Sequence, residues 1–207
     1  MPSLEKIKSV IKKIASTSNL ESNICFFGGS MPYIYHNQES NREHSDIDVL
    51  VDIEYLPVIR QLLQENNLYN PNLDSLNLGL DQDYGLKVFI DGVYVEFEPM
   101  TINNSILSRT SFSPNKELAG TEYIPYTNIE DIIIPIEIDG VNTYTQSMEL
   151  IKAVKEQYKR TKDLQDIAFI DNHGIDQEKY LRVSESVKNT TTIMHSYDEL
   201  RKKDKRH

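Results

Sequence analysis

The chain has 207 residues, of which 39% are hydrophobic, and its 32 acidic and 22 basic residues give a formal net charge of −10. This length fits one domain, with or without a helical appendage. No run approaches the roughly 18 apolar residues of a membrane-spanning helix, and the amphipathic N-terminus lacks the continuous apolar segment of a secretory signal, so we expect no membrane association.

Charge and cysteine content bear on the partners and on the compartment. Residues 201–207 hold five basic residues and one acidic residue, so the rest of the chain has 17 basic and 31 acidic residues, a formal charge of −14. Proteins that bind nucleic acid usually present a basic face, so nucleic acid is disfavoured as a partner. The single cysteine, Cys25, cannot form an internal disulfide, and we expect the protein in the reducing cytoplasm.

The chain begins with a pattern of helix, strand and glycine turn. Ser3 is a suitable N-cap for a helix over Leu4–Ala15, whose apolar residues recur at helical spacing. The apolar run Cys25–Phe27 predicts a buried strand that stops at Gly28-Gly29-Ser30. Two adjacent glycines let the backbone approach a ligand closely, and Ser30 adds a hydroxyl. If a helix begins at about Met31, its free N–H groups face the same space and suit a phosphate.

Two aspartates on the next strand are candidates for a metal site. The alternating stretch Asp46–Asp52 predicts a strand, on which Asp46 and Asp48 leave the same face because they are two residues apart. Side-by-side carboxylates repel each other and lose hydration, and a cation such as Mg²⁺ makes the arrangement tolerable. The alternative is that both point into water from a half-exposed strand. The glycine turn upstream favours the metal interpretation.

The segment between the turn and the aspartates holds further candidates. Tyr33 and Tyr35 are suited either to stacking on a nucleotide base or to ordinary packing. Arg42 and His44 lie in a polar loop just before Asp46, where they need no special role.

A hairpin supplies a second pair of acidic residues. Asp91-Gly92 between the apolar runs Gly85–Ile90 and Val93–Glu98 is a strong signal for a two-residue hairpin turn. On the outgoing strand, Glu96 and Glu98 share one face. Two glutamates on a central strand are as unusual as two aspartates, so we expect one of them to complete the metal site.

The remaining segments of the middle of the chain are less informative. Leu56–Asn66 predicts a helix, in which Pro57 is tolerated in the first turn. Residues 101–118 are polar with scattered apolar residues and predict no definite element. Ile132–Ile138 predicts a strand, and Pro135 within it indicates an edge strand or an extended connector.

The C-terminal part of the chain is predicted to be helical from about Gln146. A basic stretch there includes Lys155 and Lys162, most of whose lysines would form a solvated face. We expect Asp163 and Asp166 to act as helix caps and ion-pair partners.

These residues resemble the nucleotidyltransferases of the DNA polymerase β type, most of all the branch that modifies aminoglycoside and lincosamide antibiotics. That branch has a Gly-Gly turn, then Arg-x-His-x-Asp-x-Asp, then a third carboxylate on a strand, and later Lys-Asp-x-x-Asp. The matching residues are Gly28-Gly29, Arg42 to Asp48, Val95 to Pro99 and Lys162 to Asp166. The resemblance spans roughly residues 23–170. The chain also resembles, more loosely, the nucleotidyltransferase toxins of bacterial abortive-infection systems.

The resemblance implies an α+β fold of the polymerase-β type. We expect a mixed, mostly antiparallel sheet flanked by helices in a nucleotidyltransferase core over residues 1–143. A C-terminal helical segment over residues 144–207, with a mobile basic tail, would follow.

The resemblance also implies an activity. It is the transfer of a nucleoside monophosphate from a nucleoside triphosphate, ATP or GTP, to a hydroxyl of an acceptor, which we expect to be a small molecule. The resemblance implies that Asp46, Asp48 and Glu96 bind two Mg²⁺ ions and are the catalytic residues. Nucleotide binding would fall to Gly28, Gly29, Ser30 and Arg42, with Lys155 or Lys162 reaching the triphosphate. Relatives more often have Asp and His at the two glutamate positions, so the roles of Glu96 and Glu98 stay open.

Other functions remain compatible with the sequence. A toxin-like enzyme would transfer nucleotides to tRNA or to a protein, although the acidic body weakens the tRNA version. A degenerate relative would bind nucleotide without catalysing transfer. A non-catalytic Ca²⁺-binding module would also use the carboxylates, but it would not need the glycine turn. The sequence leaves open the acceptor, the preferred nucleotide and a homodimer.

Overall fold

The computed structural model describes residues 2–17, 20, 22–40 and 42–201, which form a nine-stranded sheet with helices packed against it. The helices are α1 (Leu4–Ala15), α2 (Met31–Tyr35), α3 (Leu56–Glu65), α4 (Met148–Tyr158), α5 (Thr161–His173), α6 (Gln177–Lys188) and α7 (Tyr197–Arg201). The strands are β1 (Ile24–Phe27), β2 (Asp46–Asp52), β3 (Leu86–Ile90), β4 (Val93–Asn103), β5 (Ile106–Ser113), β6 (Leu118–Pro125), β7 (Ile133–Ile138), β8 (Val141–Gln146) and β9 (Thr191–Ser196). None of the helices in these ranges is both long and apolar enough to cross a membrane. The expected mobile tail falls on residues 202–207, outside the described ranges.

The strand order places the acidic strands in the middle of the sheet. The order is β7-β8-β1-β2-β4-β5-β6-β9, and β3 pairs with β4 as well. β1 runs parallel to β8 and β2 parallel to β4, whereas the other pairings are antiparallel. This is the predicted mixed, mostly antiparallel sheet.

The register sorts the side chains of the central strands onto two faces. Asp48 lies opposite Glu96 on β4 and opposite Phe27 on β1, so these three side chains point to the same side. The other side packs against α1 in the main core, which includes Ile7, Val10, Ile11, Ile47, Val49, Val51, Val93, Val95 and Phe97. A one-residue slip would turn the aspartates into this core, so burial of the apolar face fixes their position.

Several predicted elements are confirmed. The helix α1 has the predicted bounds, and the Ser3 hydroxyl caps it by accepting from the Lys6 backbone N–H at 3.3 Å. The hairpin turn has Asp91 and Gly92 at φ +51° and +81°, as a turn with two left-handed residues requires. The strand that contains Pro135 lies at one edge of the sheet.

Two segments differ from the sequence-based expectation. Residues 101–118, for which no element was predicted, form the end of β4, all of β5 and the start of β6. The segment 144–207, predicted as helical, also contains β9, which pairs with β6 at the other edge of the sheet. Its Thr and Ile residues favour a strand, and Gly120 permits the pairing because a Cβ there would lie 2.2 Å from the Met194 sulfur.

The C-terminal helices cover part of the face that carries the acidic side chains. α4 and α6 pack on β5 and β6 in a second apolar cluster, formed by Leu107, Ile124, Leu150, Ala153, Val183 and Val187. Leu107 shares its sheet face with Arg109, which lies opposite Met100 on the same face as Glu98. These helices therefore form a wall beside the carboxylates.

An arginine on α3 anchors the loop that precedes β3. Arg60 donates two hydrogen bonds to Asp74, at 2.7 and 2.9 Å, and two to Asp83, at 2.7 and 2.8 Å. The Asp74 side chain is fully buried. Burial alone would raise the pKa of Asp74, but the hydrogen bonds from Arg60 hold that pKa below its usual value. The folded state therefore depends on this pair.

We predict that Arg60→Met lowers the free energy of unfolding by about 3–5 kcal/mol, because it leaves a buried carboxylate without its cation. Arg60→Lys should have an intermediate effect, because an ammonium cannot make the same forked hydrogen bonds. Urea unfolding at pH 7 measures both. Lys12→Met, on the exposed side of α1, is the control and should change stability by less than about 0.5 kcal/mol. A change in Arg60→Met no larger than that of the control would contradict this account.

Candidate active site

A cleft of about 520 Å³ opens over the face of the sheet that carries the acidic side chains. The glycine turn and the loop before β2 border it on one side, and α4 and the start of α5 border it on another. Asp46 and Asp48 lie between these borders, and β5, β6 and β9 continue the cleft beyond them. Most of the predicted site residues therefore face one common space.

The glycine turn is packed directly against two of the predicted site residues. Gly28 has φ +94°, and a Cβ there would lie 2.5 Å from Oδ2 of Asp48. A Cβ at Gly29 would lie 1.9 Å from Nη2 of Arg42. Ser30 is buried at the start of α2 and makes no capping hydrogen bond with its side chain. Because α2 has only five residues, the predicted contribution of a helix N-terminus to anion binding is small.

The two aspartates of β2 lie in different surroundings. Asp46 is exposed and Asp48 is partly buried. Burial raises the pKa of Asp48 well above its usual value, and the carboxylates of Glu98, Asp46 and Glu96 raise it further, whereas Arg109 opposes the shift. The carboxylate of Asp48 therefore has an unfavourable charge that a bound cation would relieve.

The two glutamates of β4 have different partners. Glu96 forms an ion pair with the buried Lys87 of β3. Glu98 has a buried Oε2 with no hydrogen-bond partner among the described residues, and this atom lies 3.8 Å from Nη1 of Arg109. Burial raises the pKa of Glu98 to about 7, although Arg109 lowers it in part. Glu96 is therefore held in place by Lys87, while Glu98 keeps one buried oxygen without a hydrogen-bond partner among the described residues.

The donor set fits a hard divalent cation. Four carboxylates share one face of the sheet, two of them, Asp48 and Glu98, have a raised pKa, and one buried oxygen of Glu98 lacks a hydrogen-bond partner among the described residues. In the described part of the chain, no three His, Cys, Asp or Glu side chains are close enough together to hold an ion. If a cation binds, Asp46 and Asp48 would supply two ligands, and Glu96, which lies opposite Asp48 in the sheet register, is the candidate for a third.

A buried aspartate holds the basic residues on the facing wall. Asp166 accepts hydrogen bonds from Nε and Nη2 of Arg42, both at 2.7 Å, and from the Tyr33 hydroxyl at 3.0 Å. It also forms an ion pair with Nζ of Lys155 at 2.7 Å. Burial would raise the pKa of Asp166, but its bonds to Arg42 and Lys155 hold that pKa below its usual value. Asp166 thus brings together two residues that are 113 positions apart in the sequence.

The predicted roles of Asp163 and Asp166 are confirmed. Asp163 accepts a hydrogen bond from the Arg160 backbone N–H at 3.1 Å, as a cap at the start of α5, and pairs with Lys155 at 3.4 Å. Lys162 is different, because its side chain is exposed beside the cleft and makes no ion pair with any described residue. Lys155 is neutralised by aspartates, whereas Lys162 has a free charge.

The aromatic residues near the glycine turn pack rather than line the cleft. Tyr33 is buried, with its ring 4.2 Å from that of Phe169 and 5.3 Å from that of His44. The packing interpretation is therefore confirmed for Tyr33. His44 shares a hydrogen bond with the Ser40 hydroxyl at 2.7 Å, and burial lowers its pKa to about 4, so its ring is neutral at pH 7.

Arg109 is a cleft residue that sequence reasoning missed. Its guanidinium lies 5.0 Å from the Phe27 ring centroid and donates from Nε to Glu122 on β6 at 2.8 Å. The neighbouring carboxylates Glu98 and Glu122 raise its pKa, against the effect of burial. Its strand, β5, pairs with the neighbouring strands β4 and β6, but polar residues on both faces of β5 conceal the apolar alternation that would indicate a strand.

No family model and no curated protein matches the sequence. Comparison with solved structures gives the solution structure of the antibiotic-resistance factor ANT(2'')-Ia, with a TM-score of 0.53 and 15% identity over 98% of this chain and 99% of that chain. The crystal structure of ANT(2'')-Ia in complex with adenylyl-2''-tobramycin gives 0.52 and 14% over 88% and 97%. The lincomycin-bound lincosamide antibiotic adenylyltransferase LnuA gives 0.46 and 16% over 73% and 87%.

The match to ANT(2'')-Ia extends over nearly the full length of both chains, including the C-terminal helices. At 15% identity, this match shows that the two backbones follow a similar course and nothing beyond that. The sequence-based expectation of fold class is thereby confirmed, and the chain has the nucleotidyltransferase fold of ANT(2'')-Ia.

Proposed function

We propose that this protein transfers a nucleoside monophosphate from ATP or GTP to a hydroxyl of a small molecule, with Mg²⁺, in the cytoplasm. One arrangement carries the proposal: the carboxylates of β2 and β4 share a sheet face, and Asp46 and Asp48 line one cleft together with a glycine turn and a basic wall, although Glu96 and Glu98 do not line it. The fold likeness to ANT(2'')-Ia, which has been crystallised with adenylyl-2''-tobramycin, supports a hydroxylated small molecule as the acceptor.

The metal-binding role would fall to Asp46 and Asp48, with Glu96 as the third ligand. Two Mg²⁺ ions bound there would lower the pKa of the attacking hydroxyl and neutralise charge on the phosphates. Glu96 is suited to a fixed position because Lys87 holds its carboxylate. Glu98 is suited to receive the proton of the attacking hydroxyl, because its Oε2 has no hydrogen-bond partner among the described residues.

The triphosphate would lie between the glycine turn and the basic wall. Gly28 and Gly29 let the turn pack directly on Asp48 and Arg42, and the backbone N–H groups of the turn would bind the phosphates. Arg42 and Lys155 share the charge of Asp166, so they position the nucleotide more than they neutralise it. Lys162 has a free charge and would interact most directly with the departing pyrophosphate.

The direct test of the proposal is Asp48→Asn. The variant should lose at least about a thousandfold in pyrophosphate release from labelled ATP or GTP, because positioning and electrostatics supply most of the rate in such transfers. Its metal-free melting temperature should be unchanged or higher, because a carboxylate with a raised pKa is removed.

The same experiment includes a binding measurement. Mg²⁺ and nucleotide together should raise the melting temperature of the parent protein more than either alone, and Asp48→Asn should abolish this increase. Turnover with a panel of hydroxylated metabolites and antibiotics identifies acceptors. Unchanged turnover in Asp48→Asn would exclude the metal role of the carboxylates.

Another prediction concerns the dependence of stability on pH and the role of Glu98 in it. Because the pKa of Glu98 rises from 4.5 to about 7 on folding, the parent should lose stability as pH rises through this interval. Glu98→Gln should lack this loss, and at pH 8 without metal it should be more stable than the parent by about 1–3 kcal/mol. Urea unfolding in EDTA at pH 5 and pH 8 measures the difference.

Glu96→Gln is the matched control for Glu98→Gln. It removes the partner of the buried Lys87, so it should destabilise the protein at both pH values. If Glu98→Gln keeps the pH dependence of the parent, the assignment of Glu98 as the raised group is wrong.

A further prediction concerns the packing of the glycine turn on Asp48. Gly28→Ala and Gly92→Ala both place a side chain at positive φ, at +94° and +81°, so both should lose similar stability, on the order of 1 kcal/mol. Only the Cβ at position 28 meets Asp48, whereas nothing lies within 4 Å of the one at position 92. Gly28→Ala should therefore lose at least about a hundredfold in turnover and Gly92→Ala should not. Equal turnover in the two variants would exclude close packing of the turn on Asp48 as a requirement for activity.

A further inference from the structure

The cleft extends well past the carboxylates, and its outer half has its own chemistry. We define the outer half by Arg109, Glu122, Ile124, Lys188, Thr190 and Thr192, all of which line the cleft. The sheet register places Arg109 opposite Glu122 and Glu122 opposite Thr192, so these three side chains form one row across β5, β6 and β9. This row begins beside Glu98 and leads away from the glycine turn.

The direction of the proposed reaction assigns this half to the acceptor. In an in-line displacement, the attacking and leaving oxygens lie on opposite sides of the phosphorus. The leaving pyrophosphate belongs with Gly28, Gly29 and Lys162. The attacking hydroxyl therefore comes from the other side of Asp48, where the outer half begins.

The carboxylate of the outer half is not available to an ammonium group. Glu122 is the acidic residue among those that define this half, and Arg109 binds it from Nε at 2.8 Å and from Nη2 at 2.7 Å. A polycationic acceptor would need several free carboxylates to replace its hydration. It would meet Arg109 and Lys188 instead.

Lys188 supplies a free positive charge to the outer half. It is exposed on the last turn of α6 and forms no ion pair with any residue that the structure describes. The cleft is also lined by apolar side chains of α4, α6 and β6, among which Val154 is partly exposed and Ile124, Leu150 and Val187 are buried behind it. An anionic group beside Lys188 and an apolar body against Val154 would both be matched.

We propose that the acceptor is a small hydroxylated compound with an apolar body and an anionic group that binds Lys188, and that polyamines are rejected. This inference rests on the proposed nucleotidyl transfer. It names the acceptor class for this chain from the charges of the outer half.

The test uses three phenyl β-glucosides that differ only in a para substituent: carboxylate, hydrogen or aminomethyl. Their dissociation constants are measured by calorimetry in the presence of Mg²⁺ and an α,β-methylene analogue of ATP or GTP, which binds without reacting. The carboxylate compound should bind about fivefold more tightly than the neutral one, and the aminomethyl compound more weakly, because an exposed ion pair contributes modestly.

Lys188→Glu should reverse this order, and Lys12→Glu is its control. Lys12 is exposed on α1 and does not line the cleft, so its replacement changes the net charge equally without changing the order. Three results would each overturn the proposal: tighter binding of the aminomethyl compound or of tobramycin to the parent, an order that does not depend on Lys188, or no binding of any of the three glucosides. Lys188-dependent binding of a short RNA with a free 3′-hydroxyl, tighter than that of the carboxylate compound, would also overturn it in favour of a macromolecular acceptor.

Failure of this inference can be told apart from failure of the proposed function. If the nucleotide analogue binds with Mg²⁺, and Asp48→Asn abolishes both that binding and the release of pyrophosphate from labelled ATP or GTP that the parent catalyses, the proposed function stands whatever the glucosides do. If the analogue does not bind to the parent, the proposed function itself is wrong.

Discussion

The repulsion among carboxylates on one face of β2 and β4 is the constraint on which the rest of the site depends. The parallel register places Asp48 beside Glu96, and Glu98 lies close enough to contribute to the raised pKa of Asp48. The apolar side of the same strands is buried against α1, so the strands cannot rotate to separate these charges. Fixed positions of like charge create a demand for cations, which Lys87 and Arg109 meet in part.

On the opposite wall of the cleft, a buried aspartate holds two cations close together. Asp166 holds Arg42 from the loop before β2 and Lys155 from α4, so two cations remain close together despite their mutual repulsion. The same carboxylate binds the hydroxyl of Tyr33, which packs beneath the glycine turn and the loop. A single side chain of α5 therefore links the C-terminal helices to the side of the cleft that the glycine turn and Arg42 form.

Sequence patterns predicted the elements whose local signals are strong. The glycine turn, the alternating β2 and the Asp91-Gly92 hairpin are each encoded within a few residues, and they bring Gly28, Asp48 and Glu96 together. Strand β9 was not predicted because its partner β6 is far away in the sequence. Strand β5 was not predicted because it has polar residues on both faces and so lacks a clear apolar alternation. Arg109 was missed for the same reason.

The charge of the whole chain and the charge of the cleft act in opposite directions. A formal net charge of −10 repels a nucleoside triphosphate at long range, and salt at physiological concentration screens that repulsion beyond about 8 Å. Inside the cleft, the groups with unbalanced positive charge are few, because Arg42, Lys155 and Arg109 are each paired with carboxylates of the chain itself. Lys162 and Lys188, one on each side of the aspartates, are therefore the lysines of the cleft lining without an ion-pair partner among the described residues. Binding then depends on local placement of charge rather than on its total, which is consistent with a small ligand in a confined cleft and not with a long polyanion on an acidic surface.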